Sequence, residues 1–140
     1  TMSEVIANIS CVAIRGRAVL ITGPSGIGKS SLALALMDRG ADLIGDDGVT
    51  LTMVDDLVIA APAPNIAGLI EIRNVGLRQV PTATAPVAIV LRLSSSAERL
   101  PLDQDTAKIL GRDIPQVTLF PDTTYLALRA EAALEMHGLD

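Results

Sequence analysis

The sequence predicts an α/β fold with a central, mostly β core flanked by helices. Three observations carry that expectation. Ala18 to Ile21 and Val87 to Leu93 are continuous apolar runs, the pattern of strands covered on both faces. A glycine-rich loop separates the first run from Lys29 to Met37, where Leu32, Ala35 and Leu36 are spaced for one buried helical face. Hydrophobic residues make up 49% of the chain but only Phe120 and Tyr125 are aromatic, so the core must be built from aliphatic side chains.

Taken in order, Val5 to Ile14 is rich in β-branched residues and reads as one strand, closed by a turn at Arg15-Gly16-Arg17. The strand Ala18 to Ile21 leads through the glycine loop into the helix from Lys29, which Arg39-Gly40 ends with a cationic last turn and a left-handed cap. Asp42 to Gly45 brings an apolar segment to the pair Asp46-Asp47. Val49 to Val54 and Leu57 to Ala60 form a hairpin turning at Asp55-Asp56. Pro62 and Pro64 mark a loop, Gly68 to Arg73 mixes apolar and charged residues, and Val80 to Pro86 reads as flexible. After the buried strand Val87 to Leu93, Asp103 to Leu110 is expected to be a short helix and Val117 to Phe120 a strand. A last helix runs from Thr123 to about His137, capped by Asp122 or Thr123. Thr1, ahead of Met2, reads as an added residue and is set aside.

At 140 residues the chain is most simply one domain, residues 1–140, large enough to bury a core without staples. A net charge of −5 and the scarcity of aromatics argue against nucleic acid as a partner, which needs a basic surface or stacking platforms. No apolar run approaches the ~18 residues of a membrane span, and no secretory leader is evident, so no membrane role and a cytoplasmic location are expected. Cys11, the single cysteine, lies in an apolar run and reads as a buried structural thiol. His137, the single histidine, reads as a solvated cation near a helix C-terminus.

Gly23-Pro24-Ser25-Gly26-Ile27-Gly28-Lys29-Ser30 matches the pattern G-x-x-x-x-G-K-[ST] at every position, with Ser31 next to it. Its glycines let backbone N–H groups turn inward and form an anion nest at a helix N-terminus. Lys29 is placed to reach the β- and γ-phosphates of a nucleoside triphosphate, and the Ser30 hydroxyl to ligate Mg²⁺. The context fits, because an apolar strand precedes the loop and a helix follows it. A nucleoside triphosphate with Mg²⁺ is therefore the expected ligand of this P-loop, and the loop alone does not say which reaction follows.

Two acidic positions extend the site. Asp46 and Asp47 follow an apolar strand, where open α/β sheets place ligands. One carboxylate suits the Mg²⁺ shell, and the other suits accepting a proton from an attacking hydroxyl. Glu71 and Arg73 flank Ile72, which puts both charges on one side of an extended segment.

With these motifs in hand, the chain resembles the HPr kinase/phosphorylase family, in its C-terminal catalytic domain. The loop Gly23 to Ser30, the helix end Arg39-Gly40 and the pair Asp46-Asp47 occur in the family's order. The family signature L-E-I-R-G-L-G-I is met by Ile70-Glu71-Ile72-Arg73-Asn74-Val75-Gly76-Leu77, and Arg99-Leu100-Pro101 and Ile114-Pro115 match further segments. The resemblance implies that Asp47 is the proton acceptor for a substrate serine and that Lys29 binds phosphate. It implies a P-loop-containing kinase domain that uses ATP, with Ser30 and Glu71 on Mg²⁺ and Arg99 as an active-site arginine; Asp46, from the acidic pair, is the further candidate for the metal shell.

The implied activity is ATP-dependent phosphorylation of a serine on the phosphocarrier protein HPr. Other acceptors on the same scaffold, such as a different peptide or a small molecule, are the alternatives, as is a regulator that binds ATP without transfer. Retention of Lys29, Asp47 and Glu71 together argues against the last. The chain departs from the family at Asn8, which stands where the family has an active-site histidine. It also departs at Phe120-Pro121-Asp122-Thr123-Thr124, where two basic residues are lost. Both departures bear on the reverse reaction, phosphorolysis of phosphoserine-HPr. A compact single-domain variant is implied, and the family suggests a homo-oligomer, a hexamer.

Overall fold

The computed structural model describes residues 2–140; Thr1 lies outside them. Strands β1 (Ser3–Ala7), β2 (Ser10–Ile14) and β3 (Arg17–Thr22) precede the glycine loop, which opens into α1 (Lys29–Asp38). Strands β4 (Asp42–Gly45), β5 (Gly48–Val54) and β6 (Leu57–Pro62) follow, then the hairpin of β7 (Leu69–Ile72) and β8 (Gly76–Gln79). The long strand β9 (Ala85–Leu93), the hairpin of β10 (Asp105–Ile109) and β11 (Arg112–Leu119), and α2 (Leu126–His137) complete the chain. The predicted α/β architecture, a mostly β core flanked by helices, is the one observed.

The main sheet runs in the order β1-β5-β6-β9-β3-β2-β4, with β11 alongside β9 and β10 outside β11. Strands β3 and β11 are both parallel to β9, while β2 and β4 join antiparallel. Alternation along the central strands sorts side chains into two cores. Val12, Ile14, Val19, Ile21 and Leu91 pack against Leu32 and Leu36 of α1 and Ala130 and Leu134 of α2. Cys11, Ala13, Ala18, Leu20 and Val90 face the opposite way, onto Val49 and Leu51 of β5 and Val58 and Ala60 of β6. A bulge in β9 keeps the sorting consistent: Ala18 faces Val87 while Val19 faces Ile89, so one extra residue, Ala88, is absorbed.

Helix α1 ends at the left-handed glycine its sequence predicts, but Arg39 is the cap residue and no basic side chain falls in the last turn. Gly40 sits at φ 109°, its N–H bonds the carbonyl of Met37 and that of Ala41 bonds Leu36, the two bonds of a Schellman cap. Arg39 at this end pairs with Glu131 of α2 at 2.8 Å, tying the two helices together on the surface.

Four expectations need correction. The segment from Val5 to Ile14 is not one strand: Asn8, at φ 63°, breaks it, sending β1 to pair with β5 and β2 with β3 and β4. The segment Asp103 to Leu110 is not a helix. Leu110 and Gly111 both have positive φ (50° and 84°), forming a two-residue hairpin turn that pairs Asp105–Ile109 with β11, and Lys108 meets Asp113 across it at 3.2 Å. The last helix starts at Leu126, because Asp122 accepts the Thr124 N–H at 3.0 Å and closes a preceding turn. The stretch Val80 to Pro86 is pinned to the sheet edge, with Ala83 donating its N–H to the Leu43 carbonyl at 2.8 Å. The turns at Arg15-Gly16 and Asp55-Asp56 stand as expected, all four residues at positive φ.

Candidate active site

The phosphate loop occupies the connection between β3 and α1, at the end of the sheet where ligands collect in open α/β folds. Gly28, at φ 115°, caps α1, and no side chain competes for the N–H groups of the first turn. Those donors are left to a ligand, which is what the positive end of a helix favours in an anion. Gly23, at φ 148°, has no room for a Cβ, which would lie 3.0 Å from the carbonyl oxygen of Leu93. Lys29 folds over the loop, its ammonium donating to the carbonyls of Gly23 at 2.6 Å and Pro24 at 3.0 Å. Ile27 turns inward and packs on the helix-side core, anchoring the loop from below.

Beside the loop lies a cavity of about 380 Å³. Ser25, Gly26, Gly28, Lys29, Ser30 and Ser31 line one wall. Asn8, Ser10, Asp46 and Asp47 line another, and Leu69, Glu71, Arg73 and Leu77 come from the β7–β8 hairpin, with Ile66 just before it. The hairpin is held by Ile70, fully buried in the helix-side core, so the alternate residues Leu69, Glu71 and Arg73 face the cavity.

The two aspartates are held differently. Asp46 is buried and its carboxylate is a hub: Oδ1 accepts the hydroxyls of Ser30 at 2.7 Å and Ser10 at 2.8 Å, and Oδ2 accepts the Glu71 N–H at 3.0 Å. Asp47 is exposed, at φ 64°, its carboxylate without a hydrogen-bond partner among the described residues and its carbonyl accepting the Asn8 N–H at 3.2 Å. Gly45 and Gly48 bracket the pair so closely that a Cβ on Gly45 would collide with the Gly48 carbonyl oxygen. A hydrogen-bonded buried carboxylate suits fixed coordination, and an exposed one on the cavity wall suits proton exchange.

The cavity therefore gathers Ser25, Gly26, Gly28, Lys29, Ser30, Ser31, Asp46, Asp47 and Glu71, while Gly23 and Ile27 support the loop without lining it. Arg99 is not brought to this cavity; it lies exposed in the connection between β9 and β10. The second cation on the cavity wall is Arg73. Ser10 went unremarked in the sequence, since nothing local distinguishes it: its partner, Asp46, is 36 residues away. Cys11 is fully buried, and burial pushes its thiol pKa far up, as expected of a structural thiol.

The oxygen donors present fit Mg²⁺. Ser30, Asp46 and Glu71 offer a hydroxyl and two carboxylates, all hard ligands. Among the described residues no group of three or more His, Cys, Asp or Glu is placed to hold a metal ion by itself, so the rest of a shell would have to come from a ligand and water. Such a partial set matches the habit of Mg²⁺, which takes one or two carboxylates and completes its shell with phosphates and water.

Comparison with known proteins places the chain in a family. The family described as HPr Serine kinase C-terminal domain matches residues 2–136. An HPr kinase/phosphorylase from Listeria welshimeri is 38% identical over 122 residues, covering 77% of this chain and 39% of that protein. Another from Burkholderia cenocepacia is 34% identical over 146 residues, covering 91% of this chain and 45% of that protein. The chain thus spans less than half the length of these curated relatives. The structure of the HPr(Ser) kinase/phosphatase from Coxiella burnetii superposes with a TM-score of 0.83 at 29% identity, covering 96% of this chain and 90% of that one. With the family match spanning nearly the whole chain and the phosphate loop, acidic pair and Glu71 hairpin assembled around one cavity, the chain belongs to the HPr serine kinase C-terminal domain family.

Proposed function

We propose that this chain is the catalytic domain of an ATP-dependent kinase that phosphorylates a serine on an HPr-like phosphocarrier protein, with Mg²⁺ as the metal. The observation that carries the reading is the single cavity on which Lys29, Ser30, Asp46, Asp47 and Glu71 converge. The loop N–H groups and Lys29 bind and orient the triphosphate. Ser30, Asp46 and Glu71 would hold Mg²⁺, which when bound supplies charge neutralisation at the phosphate oxygens. Asp47 takes the proton of the acceptor hydroxyl as the new O–P bond forms and the bond to the departing ADP breaks. Arg73 adds a second cation toward the transferring group.

No helix among the described residues is long and apolar enough to cross a membrane. A cytoplasmic kinase, acting as one domain and assembled as a homo-oligomer, is part of the same reading. Incubation with ATP, Mg²⁺ and purified HPr, read by intact mass, tests it. The expected result is one phosphoryl group added to HPr and lost on substituting its acceptor serine. Nucleotide binding without transfer to HPr would overturn the acceptor, and absence of nucleotide binding would overturn the kinase reading itself.

A further inference from the structure

Ser10 is one of two buried polar residues in the described chain, 1% exposed, and the other is Asp46 at 6%. Strand β2 delivers it there. Cys11 faces Gly45 across the β2–β4 ladder, so the next antiparallel step sets Ser10 opposite Asp46. The ladder shifts register between Cys11 and Val12, which places Ile44 in the sheet-side core and leaves Asp46 turned toward α1. Ser10 Oγ then donates to Asp46 Oδ1 at 2.8 Å, the same oxygen that accepts from Ser30 at 2.7 Å.

A hydroxyl has one proton and two lone pairs. With its proton committed to Asp46, Ser30 turns lone pairs toward the cavity, the orientation a cation needs. That orientation depends on Oδ1 staying where it is. A carboxylate anchored only through Oδ2, by the Glu71 N–H, would still rotate about its terminal bond, which has a broad torsional well. A second donor on Oδ1, from a buried strand paired on both edges, stops the rotation.

We propose that Ser10 is a positioning residue: it locks the Asp46 carboxylate, and through it the Ser30 hydroxyl, for a divalent cation bound with nucleotide. The proposal rests on the nucleotide-binding reading above. Ser10 is 1% exposed and its side-chain hydrogen bond goes to Asp46, so it is placed to act through that carboxylate. Removing it therefore weakens the response to metal and leaves the metal-free grip of the loop on nucleotide as it was.

The test uses a fluorescent ADP analogue titrated with Mg²⁺, so that no turnover is needed. In wild type, nucleotide binding should strengthen with Mg²⁺; no nucleotide binding at all would overturn the reading on which the proposal rests, and binding indifferent to Mg²⁺ would overturn the proposal itself. In Ser10→Ala, the Mg²⁺ concentration for half-maximal binding should rise about ten- to a hundredfold, the usual effect of losing a hydrogen-bond partner behind a metal-facing group. Affinity without Mg²⁺ should stay within about twofold of wild type. Ser10→Cys, whose sulfur is a weak donor, should shift the Mg²⁺ response in the same direction and serves if the alanine variant does not fold. In an Asp46→Asn background, Ser10→Ala should add less than about twofold, because both changes break one chain of contacts. An unchanged Mg²⁺ response in folded Ser10→Ala, an equal loss with and without metal, or full additivity with Asp46→Asn would each overturn the proposal.

Discussion

Asn8 donates its backbone N–H to the carbonyl oxygen of Asp47 at 3.2 Å, and both residues hold the left-handed conformation, at φ 63° and 64°. Asn and Asp tolerate that region better than other side chains, yet two such residues in contact still cost free energy that the surrounding strands must offset. The outcome is a carboxylate presented to the cavity from a fixed turn, beside a neighbour, Asp46, that lines the same cavity and is held by three hydrogen bonds.

Asp47→Asn is accordingly a clean substitution, since asparagine also accepts positive φ. It should leave nucleotide affinity within about twofold while lowering phosphoryl transfer by about 100-fold or more, the usual range for a lost general base. Asp46→Asn should instead raise the Mg²⁺ requirement. Titrations of Mg²⁺ and ATP beside single-turnover rates separate the two, and the opposite pattern would exchange their roles.

Lys29→Ala removes the cation that bridges the carbonyls of Gly23 and Pro24 and that the proposed mechanism sets on the phosphates. Transfer should fall at least about 100-fold and ATP affinity should drop as well, because a charge-assisted contact is lost in both ground and transition states. Calorimetric binding and phosphorylation of HPr measure the two effects. A wild-type rate in this variant would place the active site elsewhere.

Gly45→Ala puts a methyl group against the Gly48 carbonyl oxygen and 2.9 Å from Val49 Cγ1. The backbone must shift to admit it, at a cost of about 2 kcal/mol. The melting temperature should fall by about 5–10 °C. Because the shift falls at Asp46 and Asp47, transfer should suffer more than nucleotide binding; an unaltered Tm would mean the two strands part more easily than their packing implies.

Cys11 should resist thiol reagents. It is fully buried and its thiol is held protonated by desolvation, so the reactive thiolate is absent from the folded chain. Labelling with a chromogenic disulfide should proceed at the rate of global unfolding and become immediate in denaturant. Fast labelling of native protein would contradict the burial.

The reverse reaction should be slow. In phosphorolysis, inorganic phosphate attacks phosphoserine, and two anions must meet. The cavity supplies Lys29 and Arg73, with Asn8 and not an imidazole beside Asp47 and with Arg99 outside. Losing about 3 kcal/mol of stabilisation slows a step about a hundredfold. Pyrophosphate release from phosphoserine-HPr should trail the forward rate by at least about that factor, and comparable rates would disprove the one-way reading.

What the sequence disclosed were features whose physics is local. The phosphate loop requires glycines and Lys29 within a few residues, and the turns at Arg15-Gly16 and Asp55-Asp56 carry residues suited to positive φ. The hairpin at Leu110-Gly111 escaped notice because leucine is a poor candidate for φ 50°, while the run before it has helix-forming residues; strand pairing to β11 overrides that preference. The break at Asn8 was hidden by the β-branched residues on both sides. Ser10 could be recognised only once β2 and β4 were paired, since a contact across 36 residues leaves no spacing to read.

The two cores on either side of the central sheet divide responsibility for the site. Ile27, Leu32 and Leu36, which seat the phosphate loop and α1, belong to the helix-side core. Ile44 and Val49, which flank the aspartate pair, belong to the other. A packing defect beneath α1 therefore reaches the chemistry as a weaker hold on nucleotide, and one beneath β5 as a misaligned base. Kinetics that resolve KM for ATP from kcat become a remote probe of interior packing, reporting which face of the sheet a distant substitution has disturbed.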